Sequence, residues 1–161
     1  MAFYVIDMNR HRHTQFELVI AEFQKWGALV DDVADPASRI AVGFAYPRLF
    51  MELVEHHSFV AFDIGGVRLY SNLPGEKENL EELWGDKILT QALCKAGFLP
   101  FGRPSTGSYD RVCFDMRRGG RPMDAPVVEM DHEAILNHNR IPEPSPLAVG
   151  LMQLFELGKG R

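Results

Sequence analysis

The sequence predicts an α+β fold, a small and mostly antiparallel sheet packed by N-terminal, middle and C-terminal helices. Three observations carry this. Apolar residues recur at helical spacing near both ends of the chain, in 14–26 and 147–155. In the middle the period shifts to the two-residue alternation of strands, and Gly65-Gly66 sits between two such runs as a hairpin turn. Helices and strands do not alternate strictly, which argues against a parallel sheet of βαβ units. At 161 residues the chain is expected to form one domain, 1–161, large enough to bury about 70% of its unfolded surface.

The elements follow in order. Thr14 and Glu17 form a capping-box pattern, Phe16, Val19, Ile20, Phe23 and Trp26 recur on one helix face, and Gly27 offers a C-cap. Asp35-Pro36 reads as the start of a short second helix. Tyr46-Pro47 restarts the pattern, with Leu49, Phe50, Leu53 and Val54 on one face and an end expected near His56 or His57. Runs 59–64 and 67–71 flank the glycine turn as two strands. Residues 76–84 read as an acidic helix. Ile88, Leu89, Ala92, Leu93 and Ala96 form a further stripe closed by Gly97, and 98–101 reads as a short strand. In 109–116, Val112, Phe114 and Met116 alternate with Tyr109, Arg111, Cys113 and Asp115; in 126–132, Val127, Glu129 and Asp131 lie opposite Val128 and Met130. Ser145-Pro146 looks like the cap and first turn of a last helix that carries Leu147, Leu151, Leu154 and Phe155 on one face.

Composition excludes several function classes. The formal net charge of -5 argues against general nucleic-acid binding, which calls for a basic patch or stripe. Cys94 and Cys113 lack CxxC spacing and read as buried free thiols in a reducing compartment. In MAFYVIDMNRHRH the basic residues follow the apolar run, the reverse of a secretory signal, and no run reaches 18 apolar residues. A cytoplasmic protein with no membrane partner is expected.

Polar residues concentrate in 99–133, where two short strand runs close on acidic residues and a basic loop separates them. Asp115, Asp131 and Glu133 would converge if the runs pair, and paired carboxylates can do glycosidase-type work. The competing reading is structural: Asp131 before His132-Glu133-Ala134-Ile135 looks like an N-cap. No nucleophile is paired with a base, and no P-loop, GxSxG or GxGxxG occurs. Metal spacing fails as well. His11/His13 lie near the N-terminus and His56/His57 at a helix end, and the residue four after His132 is Leu136 where a zinc-protease helix needs histidine. Neither a cofactor nor a metal is expected. Arg103, Arg111, Arg117, Arg118 and Arg121 oppose an acidic face of Glu76, Glu78, Glu81 and Glu82, and Tyr109 and Phe101 offer aromatic anchors for a protein partner.

The ordered set Leu99-Pro100-Phe101-Gly102, Gly107, Cys113-Phe114-Asp115, Val127-Val128, Asp131-His132-Glu133 and Leu147-Ala148 resembles the SUKH superfamily, domains related to the fungal regulator of cell-wall glucan synthesis. The 46–50 helix start and the 65–70 strand are similar to the family's, and the resemblance covers about residues 40–157. It departs from the pattern after Gly107, where Ser108 and Tyr109 intervene before an acidic residue, and in the basic loop 117–121. The resemblance implies a domain without a catalytic set. Bacterial members commonly act as immunity proteins that bind and neutralise toxin domains. The expectation is therefore a protein-binding module, an immunity protein whose partner is a protein toxin, with Asp110, Asp115, Glu129, Asp131, His132 and Glu133 as partner-binding residues. A regulatory scaffold, or a hydrolase using Asp115, Asp131 and Glu133, are the alternatives, and a homodimer through an exposed strand edge is possible.

Overall fold

The computed structural model describes residues 15–30 and 38–159. Thr14 of the capping box, His11, His13 and Asp35-Pro36 lie outside the described residues. Helix α1 covers 15–25 and buries Val19 and Phe23. It ends at Gly27, whose amide donates to Gln24 O while that of Ala28 donates to Phe23 O, the paired bonds of a Schellman motif. Trp26 does not join the buried face. The helix has already ended there, and the ring is left exposed.

Helix α2 (Arg48–His56) buries Leu49, Phe50, Leu53 and Val54, as their spacing requires, and gives way to extended backbone at His57. No side chain caps it. The amides of Arg48 and Leu49 donate instead to Pro122 O and Met123 O, 3.0 Å each, from a distant loop.

Six strands, β1 (Phe62–Ile64), β2 (Val67–Leu69), β3 (Phe98–Pro104), β4 (Arg111–Asp115), β5 (Val127–Met130) and β6 (Ser145–Ala148), pair in chain order, each antiparallel to the next. Gly65 and Gly66, at φ 57° and 81°, make the β1–β2 turn in the positive-φ form that matches strand twist. Gly102 is required on β3, because a Cβ there would come within 2.4 Å of Arg68 O on β2. Strand β6 corrects the expectation that Ser145-Pro146 opens the last helix. Pro146 sits in an outermost strand, where its missing amide costs one edge donor and no ladder bond on the solvent side. Helix α6 starts later and spans Leu151–Lys159.

Each sheet face carries its own core. On one, Phe50 packs at 5.5 and 5.4 Å from Phe101 and Phe114, which stack at 4.1 Å. Phe23 meets Phe59, Phe62 and Phe155 at 5.1, 5.0 and 5.5 Å on the same side. Helices α1, α2 and α6 supply Phe23, Phe50 and Phe155, and the sheet side supplies the others. Because α6 touches both outermost strands, β1 and β6, the sheet curls around this core. The smaller core on the other face joins Phe98, Cys113, Val128 and Met130 to Leu89 and Leu93 of α4 (Lys87–Lys95) and Ile135 of α5 (His132–Leu136). The α+β class read from the sequence is the observed one.

Two readings in the middle of the chain need correction. The acidic helix expected over 76–84 is only Leu80–Trp84, here α3: Asn79 caps it by accepting the Glu82 amide at 2.9 Å, and 76–79 form the turn before the cap. The α4 stripe splits, with Leu89 and Leu93 buried and Ile88 71% exposed. Both thiols are free, and burial pushes both upward, most strongly for Cys113. Among the described residues no helix is long and apolar enough to cross a membrane.

Candidate functional site at the Tyr109 end of the sheet

The turn between β3 and β4 delivers Tyr109 and Asp110 to one end of the sheet. Gly107 donates to Pro104 O, and Arg103 clamps the returning chain by donating to Ser108 O and Gly107 O at 2.9 Å each. Alternation on β4 then sends Arg111 to the α4–α5 face with Cys113, while Val112 and Phe114 enter the larger core.

Tyr109 is the centre of the assembly. Its ring lies between two guanidinium groups, Arg111 at 4.3 Å and Arg103 at 5.1 Å, and meets the His132 ring edge-on at 5.1 Å. Its hydroxyl donates to Asp86 Oδ2 at 2.7 Å. The ring is still 39% exposed. Arg111 is only 3% exposed; it donates to Tyr109 O, and its Nε has no hydrogen-bond partner. A charged group so deep normally needs a full set of partners.

Four carboxylates gather at this end of the sheet, Asp86 and Asp110 beside Tyr109 and His132, and Glu129 and Asp131 flanking Asp110. Asp86 caps α4 through the Leu89 amide. Burial works to raise it, and the Tyr109 hydroxyl, the Leu89 amide, Arg111 and His132 outweigh burial, so its carboxyl ends below the ordinary range. Asp110 accepts both the His132 amide at 3.0 Å and the His132 ring at 2.6 Å. Burial raises it too, and the His132 contacts bring the net shift down. Glu129, the β5 neighbour, goes the other way: burial and the adjacent Asp110 carboxylate both push it up. Asp131 accepts the Glu133 amide at 2.9 Å and so is the N-cap of α5, as its spacing indicates.

Of the six residues proposed from sequence, the fold brings together Asp110, Glu129, Asp131 and His132, with Glu133 exposed one residue into α5. Asp115 does not join them. The two runs pair as the convergence idea required, but antiparallel register sets Arg111 opposite Met130 and Phe114 opposite Val127. Asp115 therefore stands at the far end of the ladder, about 15 Å from Asp131 at strand rise. There it pairs with Arg117 at 2.8 Å, and that bond first, the Arg117 amide after it, holds its carboxyl low. A hydrolytic site of Asp115, Asp131 and Glu133 has no shared geometry. The expected basic cluster divides in the same way, with Arg103 and Arg111 around Tyr109 and Arg117 at the opposite end.

Asp86 was not read as a site residue. Its sequence signal is only that of a cap ahead of an apolar stripe; the placing of the α4 N-terminus beside the turn that carries Tyr109 makes it the Tyr109 partner. Chemically, the Asp110–His132 pair orients an imidazole, yet among the described residues no hydroxyl or thiol is hydrogen-bonded to its other nitrogen. Asp110, Asp131 and His132 each place one possible ligand atom within 4.8 Å of the others, the donor set that would hold a divalent cation, although all three already serve internal bonds. Comparison with family models, curated proteins and solved structures finds no match to the chain.

Proposed function

We propose that this chain is a protein-binding domain of the SUKH type, acting as an immunity protein that occludes a toxin domain. One observation carries the reading: a partly exposed tyrosine bound to Asp86 stands beside a cluster in which Asp110 is flanked by Glu129 and Asp131, on a chain of net charge -5. Tyrosine and arginine dominate interface anchors, and a rim of carboxylates steers a basic partner to them. Toxins that act on nucleic acid present such basic clefts. The ordered motifs from Leu99 to Ala148 support the immunity reading, and the internal pairing of His132 supports binding over turnover.

Co-expression with a toxin encoded beside this gene tests it. Survival together with co-purification is the expected result, and both should be weakened in Asp131→Asn, which removes the charge but keeps the α5 cap, so that the variant's melting stays close to the parent's. Survival without complex formation would end the occlusion mechanism. A stable complex with a non-toxic neighbour would favour the regulatory-scaffold reading.

A further inference from the structure

Helices α4 and α5 meet Tyr109 at their N-terminal ends, and their C-terminal ends frame a second surface of different character. A groove of about 390 Å³ opens there, walled by Ala92, Ala96, Ile135 and Ile141, with Lys95 and Arg140 as its charged residues. Apolar surface continues past the groove: Ile88 lies on the same α4 stripe as Ala92 and Ala96 and is 71% exposed, Leu136 of α5 is 38% exposed, and Ile141 is 42% exposed. The core buries Leu89 and Leu93 fully, while Ala92 and Ala96 pack against it and stay partly open to the groove. A helix face that stays apolar beyond what the core covers marks an interaction surface.

We infer that this groove docks a short aliphatic and acidic segment of a partner protein. The charge pattern selects the occupant: both charged residues of the lining are cationic, no carboxylate lines it, and the chain as a whole carries -5. Neither Lys95 nor Arg140 forms an ion pair with a carboxylate among the described residues. The groove is open and elongated between α4, α5 and the 139–141 segment, a shape a short peptide segment fills. This surface is separate from the acidic Tyr109 end and attracts the opposite charge.

Selection of random displayed peptides against the purified full chain tests the inference. Enriched sequences should combine aliphatic residues with aspartate or glutamate. Their synthetic forms should bind roughly tenfold more weakly to the Lys95→Glu/Arg140→Glu variant, whose substitutions are both at exposed positions. Amide NMR shifts on titration should fall on Ala92, Ala96 and Ile141, and lysine-bearing versions of the same peptides should regain binding to the double variant. The inference is overturned by enrichment without acidic residues, by no enrichment at all, by undiminished binding to the double variant, or by shifts elsewhere. Self-association of the chain that Ala96→Glu abolishes would assign the groove to a second copy and equally overturn it. Because these variants leave Asp86, Tyr109 and Asp131 intact, failure here is distinguishable from failure of toxin neutralisation.

Discussion

The two ends of the β4–β5 ladder use polar residues in opposite ways. At the Asp115 end the fold consumes them. Asp115 is satisfied by Arg117, and the loop between the strands caps two helices: Pro122 O and Met123 O take the first amides of α2, and Asp124 takes those of Leu151 and Met152 on α6. At the Tyr109 end the fold gathers more than it needs. Two arginines, an imidazole and Asp86 contact one partly exposed ring, and beside it Glu129 is held at a raised value by burial first and then by the Asp110 carboxylate. Strand ends rich in charge are therefore not alike. One end is spent on caps and a local ion pair, and the other keeps a partly exposed ring among carboxylates, of which Asp86 and Asp110 are held low and Glu129 is pushed up.

The largest effect that separates the ends is expected from Asp124→Ala. It strips three backbone amides, those of Ala125, Leu151 and Met152, of their acceptor, and should cost about 2–4 kcal/mol in urea denaturation. A loss below about 1 kcal/mol would remove the capping role of the loop.

Tyr109→Ala is the counterpart. It should change stability by no more than about 1 kcal/mol while weakening a partner complex by about 2 kcal/mol, measured by calorimetry. Equal losses in both would make the Tyr109 end structural as well.

Acid titration sharpens the same contrast. Asp110 is depressed in the folded state, so its contribution is present above the ordinary carboxylate range and is lost as pH falls through its folded value. Asp110→Asn should be less stable than the parent at neutral pH and converge with it in acid. Glu129 is raised, so it favours folding below its ordinary value, and that contribution is lost as pH rises through its folded value. Glu129→Gln should accordingly be the more stable protein at neutral pH, with the gain fading in acid. Melting curves over pH check both, and a gain from Asp110→Asn at neutral pH would contradict the assigned hydrogen bonds. The smallest effect is expected from Asp115→Asn, which weakens a local pair with the exposed Arg117; it should lower stability at neutral pH by less than about 1 kcal/mol and leave partner binding at the parental value.

Much of the fold was legible in the chain. The faces of α2, β4 and β5, the Gly65-Gly66 turn, the Gly27 stop and the Asp131 cap are all set by residues within a few positions of one another. Errors fell where a remote segment does the work. The last helix was placed too early because its N-terminal amides are capped by Asp124, 27 residues away from Leu151, and no local cap marks the start. The apolar stripe of α4 includes the exposed Ile88, because spacing reports which face is apolar and not how wide a face the core covers. In the candidate site, the convergence read from the sequence was that of Asp115, Asp131 and Glu133, whereas the β4–β5 register brings Asp110, Glu129, Asp131 and His132 together and leaves Asp115 apart. Asp86 and the burial of Arg111 were not visible, since both depend on where α4 docks.

By itself the sequence determined the α+β class, the strand and helix faces, and the residue types gathered in 99–133, because these follow from periodicity and local backbone chemistry. Tertiary structure alone decided which carboxylates meet. Antiparallel register carried Asp115 to one end of the ladder and Asp110 with Asp131 to the other, and the docking of α4 added Asp86. Charge identity is local, but charge proximity depends on register and packing, which no short window of residues encodes.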